Sequence, residues 1–327
     1  MQVPAHTYRL GIVSNPLSGR NKKHAVAMTP ILEAHPEIFH NEVRTQQDIQ
    51  TSLTTFAQEQ VNVLVINGGD GTVHAVLTTL FHHQPFATLP LLAILPSGTS
   101  NMNAGDVGLN GNRTASLQKL LSWIEGHGPD PAILTRHVLR VQRVPDENPI
   151  YGMFFGAGAI YQGAQVGWNT KQSVGRLGEV GASLIICRFF LSLLFSRQTR
   201  ITPIHATISR DEHPAIKREF LTILVTTLER LFLGLRPYWG TESHPLHYTA
   251  VRKNPTYLTR TLPSLLFGRS HKYGTAEHGY DSHNAQSLEL HLQDGFTIDG
   301  EDYKPDPERG PVRITSGGIA SFIRFER

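Results

Sequence analysis

An α/β domain built on a parallel sheet, followed by a β-rich sandwich domain, is the fold class that these 327 residues predict. Three observations predict it: apolar runs separated by helical spacing before residue 130, glycine-bearing loops that close those runs, and a change to short alternating runs after Pro131. The length exceeds what one core usually serves, so the expectation is two domains, 1–130 and 131–327, with the C-terminal segment free to return to the first.

The first texture is that of buried strands. Arg9 to Asn15 is a short apolar run ending in Asn-Pro, and Val61 to Asn67 (VNVLVIN) is β-branched and ends in Gly-Gly-Asp-Gly. Leu91 to Leu95 (LLAIL) is closed by Pro-Ser-Gly-Thr, while His24 to Ala34 and Gln50 to Gln58 carry helical spacing. Strands apolar on both faces, separated by helices, make a parallel sheet covered on both sides. Such sheets bind ligands outside the carboxyl ends of their strands, which is where all three loops fall.

The second texture alternates. His137 to Val144, Phe220 to Thr227, Leu246 to Val251, Leu288 to Leu292 and Val312 to Thr315 are short and separated by Gly, Pro, Asp and Asn, as in antiparallel strands. Gly-His-Gly-Pro-Asp-Pro at 126–131 breaks any element and sets the boundary. One helix interrupts this half, Val174 to Phe195.

Composition narrows the classes. At 39% hydrophobic and 17% charged, without repeats, the chain is globular and not disordered. A net charge of +3 is too mild to argue for nucleic acid, yet suits a surface that meets anionic lipid or phosphate. A single cysteine, Cys187, gives neither a disulfide nor a zinc framework, and Met1 to Leu10 lacks the pattern of a signal peptide, so a cytoplasmic location is expected. The most apolar stretch, Ala182 to Phe195, is interrupted by Arg188 and too short to span a bilayer.

Gly68-Gly69-Asp70-Gly71-Thr72 is the most informative motif. Its glycines permit close approach of main-chain N–H groups to an anion, and a helix starting near Val73 would offer its N-terminus to phosphate. A carboxylate in such a cradle repels a bare phosphate unless a Mg²⁺ lies between them or it accepts a substrate proton, so Asp70 suggests phosphoryl transfer. An ordinary strand-to-helix turn with Asp70 as N-cap would carry the same residues. Two further loops on the same rim argue for the chemical reading: Asn15-Pro16-Leu17-Ser18-Gly19, followed by Arg20, Lys22 and Lys23, and Pro96-Ser97-Gly98-Thr99-Ser100-Asn101.

These three loops, in this order, resemble the catalytic domain of the diacylglycerol kinase superfamily, which includes sphingosine and ceramide kinases and shares its Gly-Gly-Asp-Gly loop and two-domain plan with NAD kinases. Asp299-Gly300-Glu301 resembles that family's Asp-Gly-Glu loop; without the resemblance it reads equally well as a surface hairpin. The resemblance implies nucleotide contacts at Asn15, Ser18, Gly19, Thr45, Gly68, Gly69, Asp70, Gly71, Thr72, Ser97 and Thr99. It also implies an acidic centre of Asp70, Asp299 and Glu301, ATP and Mg²⁺ as cofactors, with Asp70 touching Mg²⁺ through phosphates or water, and a lipid substrate reached at a membrane surface. A homodimer is left open, and no nucleic-acid partner is implied.

Departures from the pattern are local. The family's Asn-Glu after the central loop is His74-Ala75 here, its Asn-Asp is Asn101-Met102, and its Asp-Gly-x-Leu segment has no clear counterpart in Leu235 to Thr249. Two other readings stand beside the lipid kinase. A soluble kinase of the NAD-kinase type would need a polar substrate pocket, whereas Leu184 to Phe195 and Tyr257 to Phe267 are rich in Leu and Phe; a non-catalytic nucleotide or lipid sensor would not need Asp70, Asp299 and Glu301. His271, His278 and His283, with Glu277 and Asp281, match no metal template and read as a solvated Gly-rich loop. Val174 to Phe195 reads either as a core helix or as the border of a lipid entrance.

Overall fold

The computed structural model describes residues 8–19, 28–98, 101–165 and 201–325. Two compact units divide the chain, the first comprising 1–136 and 319–327 and the second 137–318. The segment Val174 to Phe195 lies outside the described residues.

In the first unit, strands and helices alternate as β1 (Leu10–Ser14), α1 (Thr29–Ala34), β2 (Phe39–Glu42), α2 (Gln46–Gln58), β3 (Val63–Gly68), α3 (Asp70–Thr78), β4 (Leu91–Pro96), α4 (Met102–Val107) and α5 (Arg113–Ile124). The sheet order is β4-β3-β1-β2, all parallel. Every residue of β3 is buried, which only a strand covered on both faces requires. Ile12, Val63, Val65 and Ala93 share one core with Leu117 and Leu120 of α5. Phe56 of α2 covers the other face at Gly11, where a Cβ would come within 2.8 Å of its ring. Helix α2 is locally encoded: Thr45 and Asp48 form a reciprocal capping box, and Ile49, Ser52, Leu53 and Phe56 make its buried stripe.

The second unit is β-rich. Its strands are β5 (Ala132–Gln142), β6 (Ile150–Gly152), β7 (Phe154–Gly158), β8 (Ile204–Arg210), β9 (Ile216–Thr226) and β10 (Leu246–Arg252), then helix α6 (Leu258–Leu266). Next come β11 (Tyr280–Ala285), β12 (Ser287–Leu292), β13 (Phe296–Ile298), β14 (Glu301–Tyr303) and β15 (Val312–Arg324), whose last residues belong to the first unit. β9 pairs with β8 through its first half and with β7 through its second, so the sheet forks there. One core including Phe155, Phe220, Tyr248, Leu290, Phe296 and Ile314 fills the space between the strands. Both expected textures are thus present as an α/β part and a β-rich part.

Three local expectations are corrected. The helix after β3 begins at Asp70, not near Val73, and Gly69 rather than Asp70 is its N-cap. β15 runs on to Arg324 instead of stopping at Thr315, and Gly317 within it lies beneath Tyr151, whose ring is 2.5 Å from where a Cβ would stand. His283 and Asp281 stand on β11 and not on a loop. There His283 Nδ1 shares a 2.5 Å hydrogen bond with Glu242 Oε1, and Nε2 one of 3.1 Å with Asp281.

Candidate functional site

The carboxyl ends of β1, β3 and β4 place the three motif loops side by side, and their side chains bond loop to loop. Asn15 Nδ2 donates to Thr72 Oγ1 at 3.0 Å, and the Gly69 amide donates to Ser18 Oγ at 3.1 Å. The central loop reaches the third through Asp70, which is 8% exposed. Its carboxylate accepts the amides of Met102 (3.2 Å) and Asn103 (3.0 Å) at the start of α4. Asn101, in left-handed backbone at φ 49°, returns its side-chain amide to Gly98, accepting from the Gly98 N–H at 2.7 Å and donating to the Gly98 carbonyl at 2.9 Å. Two glycines let the loops close on each other: a Cβ on Gly98 would stand 2.6 Å from the Gly69 Cα. A side chain at either position would force the loops apart.

Beneath the loops lies a buried polar relay. Ser97 Oγ donates to Asn67 Oδ1 at 2.6 Å, and Asn67 Nδ2 donates to Ser14 Oγ and to Met28 Sδ, both at 3.1 Å. His40 on β2 shares a 2.9 Å hydrogen bond with Ser14 Oγ, and burial pushes its pKa down against the opposing pull of Glu42. One side-chain amide therefore joins the last turns of three strands. Sequence reading missed Asn67, Ser14 and His40 as site-building residues; the signal for the first was a polar residue closing an otherwise apolar run.

The remaining expected residues are placed as follows. Gly19 and Gly71 belong to the loops just described, Gly68 lies under the Thr72 side chain, and Thr99, Arg20, Lys22 and Lys23 lie outside the described residues. Thr45 caps α2, its hydroxyl accepting the Asp48 amide at 3.1 Å, and two residues before it the Val43 amide donates to the Ser14 carbonyl. Asp299 and Glu301 stand together in the second unit. Asp299-Gly300 is a two-residue hairpin turn between β13 and β14, with φ of 49° and 90°, the conformation that Asp-Gly favours. Its carboxylate is not on the surface, however. Asp299 is 3% exposed, lies against Gly152 and accepts the Met153 amide at 3.0 Å. Glu301 is exposed, and burial together with Glu301 and Asp299 pushes the Tyr303 phenol up to about 12.

This interlocked rim coincides with a family match. The model of the diacylglycerol kinase catalytic domain covers residues 9–126, which include all three loops and the relay. Over these residues the chain is similar to the diacylglycerol kinase catalytic-domain superfamily. Two curated relatives of this kind are each named "Probable lipid kinase YegS-like". One, from Xanthomonas campestris pv. campestris (strain 8004), is 40% identical over 80 residues, 21% of this chain; the other, from Stenotrophomonas maltophilia (strain K279a), is 48% identical over 50 residues, 15% of this chain. The chain matches 26% and 16% of those relatives' own lengths. Two solved structures from Bacillus anthracis str. Sterne, both bearing the name diacylglycerol kinase, share the fold beyond the catalytic domain. They superpose with TM-scores of 0.67 and 0.60 at 18% and 16% identity, covering 98% and 96% of both chains in each pair.

Proposed function

We propose that the chain is an ATP-dependent lipid kinase, which transfers the γ-phosphoryl group of ATP to the hydroxyl of a diacylglycerol-, ceramide- or sphingoid-like lipid. The observation that carries this reading is the rim itself: three loops of a kinase family, mutually bonded, with Gly69 and Gly98 in backbone-to-backbone contact. Main-chain N–H groups without side chains around them, at the N-terminus of α3, suit a polyphosphate. The names of the relatives support a lipid acceptor.

In the reaction the bond between the γ-phosphorus and the β,γ-bridging oxygen breaks, a bond from the lipid oxygen to that phosphorus forms, and ADP leaves. The hydroxyl proton needs a carboxylate, and Asp299, Glu301 and Asp70 are the candidates for it. Mg²⁺ would enter with the nucleotide as Mg–ATP, its substrate form. Asp70 then acts first as a positioning residue, fixing the third loop through two amides, with any contact to the ion made through phosphate or water.

Incubation with γ-phosphate-labelled ATP, Mg²⁺ and a panel of diacylglycerol, ceramide, sphingoid base and monoacylglycerol in detergent micelles tests the reading. One labelled lipid is the expected result. Label that stays in ATP or passes only to water contradicts it.

A further inference from the structure

A surface of the second unit is left unused by the proposed reaction. Among the described residues of that unit, Leu233 (68% exposed), Phe267 (58%) and Tyr257 (46%) stand out as exposed large hydrophobics within two segments, 230–236 and 257–273. Tyr257 precedes α6 and Phe267 follows it, while Leu258, Leu262 and Leu266 form a half-exposed row between them at i, i+4, i+8. The turn bearing Leu233 adjoins the end of that helix: the Arg236 amide donates to the Leu266 carbonyl at 2.7 Å, and Gly268 packs against Arg236.

The same two segments contain Arg230, Arg236, Arg260, Arg269 and Lys272 and no Asp or Glu, in a chain with nearly as many acids as bases. None of the five cations forms an ion pair with a described residue. Leu233 is also in left-handed backbone at φ 57°, beside Gly234 at φ 75°. Leucine is disfavoured there and Asn or Gly would suit the turn better, so the turn itself does not call for this side chain. A second copy of the chain is a poor occupant, because a self-complementary contact would bring these five cations against their own copies.

We propose that this face docks the chain on a bilayer containing anionic phospholipids. Leu233, Phe267 and the leucine row of α6 enter the interface, Tyr257 sits at headgroup level, and the arginines and Lys272 extend to lipid phosphates. The purpose of such docking rests on the lipid-kinase reading, whereas the docking itself does not.

Sedimentation of the full chain with phosphatidylcholine vesicles, with and without phosphatidylglycerol, in the absence of nucleotide, tests the proposal. The wild type should bind the mixed vesicles, less well as salt rises, and leave pure phosphatidylcholine largely unbound. Leu233→Asn and Phe267→Asn should each cut binding by about tenfold or more. Leu233→Asn should melt no lower than wild type, since Asn accepts the left-handed backbone more readily, and Arg269→Glu with Lys272→Glu should abolish binding. If the wild type ignores mixed vesicles, or if these variants bind like wild type, the proposal is overturned. A dimer that Phe267→Asn splits while vesicle binding persists would also overturn it, in favour of a second copy. Vesicle binding that Leu233→Asn and Phe267→Asn weaken, alongside no phosphate transfer by wild type in micelles, would sink the kinase reading and leave this surface standing.

Discussion

In the α/β unit, Asp70 is held from outside its own loop, by two amides at the start of α4, while the loops after β4 and β1 are tied back to Gly69, Thr72 and Asn67. In the β-rich unit, Asp299 sits in a two-residue turn and takes its amide from Met153 on the neighbouring chain segment. Both carboxylates are buried and both are bonded to main chain. The difference is in what depends on them: removing Asp70 releases one loop from another, whereas removing Asp299 disturbs one turn and one strand end. Kinetic damage at the rim should therefore spread to nucleotide affinity, and damage at the turn should stay in turnover.

Asp70→Asn is the most severe way to break that contrast. An amide side chain can accept one of the two N–H groups and presents its own NH₂ to the other. Turnover should fall by about 10² to 10⁴, the KM for ATP should rise, and leaving a buried N–H without its acceptor should cost about 1–3 kcal/mol of stability. Steady-state kinetics and thermal melting check all three; wild-type kinetics in a folded protein would end the assignment of Asp70 to the site.

Asp299→Asn comes next, with turnover reduced by about 10² or more and the KM for ATP unchanged. Glu301→Gln should follow the same pattern more weakly, because Glu301 is exposed and free of the buried main-chain contact that Asp299 makes. A raised KM for ATP in either variant would show that the turn shapes the nucleotide site after all.

Asn67→Leu probes the relay that ties the loop after β4, through Ser97, to Ser14. It removes the acceptor of Ser97 Oγ and the donor to Ser14 Oγ in a buried setting, a loss of about 1–3 kcal/mol. The expected kinetic signature is a KM for ATP raised about tenfold or more with kcat less affected, and Asn67→Gln should not rescue it because the longer side chain cannot reach both serines from the same strand position.

The smallest effect belongs to a cluster far from this chemistry in kind. The Asp281 hydrogen bond raises the His283 pKa above 6.5, with burial opposing it and Glu242 adding to it; that contribution to stability is full below pH 6.5 and is lost as pH rises through the raised value. Burial pushes Glu242 up, but the Asn284 amide and His283 outweigh it and hold it at about 2, so its contribution is present above pH 4.5 and fades as pH falls toward 2. Melting temperature should therefore be highest between about 4.5 and 6.5. His283→Gln should flatten the alkaline decline by a few degrees and leave kinase turnover unaltered.

The legibility of the sequence follows the same division. β3 and its loop were readable because a strand buried on both faces must be apolar throughout and its glycines stand in a row, and the alternating runs of the β-rich unit announced themselves by period. What could not be read was contact across loops. Nothing in the order of residues shows that Asp70 meets the amides of Met102 and Asn103, 32 and 33 residues away. Thr45, expected at the site from the family resemblance alone, also caps α2, a second use that the resemblance does not show. Without the family resemblance Asp299-Gly300 read equally well as a surface hairpin, because turn chemistry says nothing about which way the carboxylate faces.

Amide hydrogen exchange of the wild-type chain with and without Mg–ATP tests the central claim most directly, that the interlocked rim is the nucleotide site. The account predicts slower exchange on nucleotide addition in peptides covering 15–19, 68–73 and 101–104, all three together, and loss of that joint protection in Asp70→Asn. Saturable ATP binding with protection confined to other segments, or with one loop protected and the other two unchanged, would contradict it.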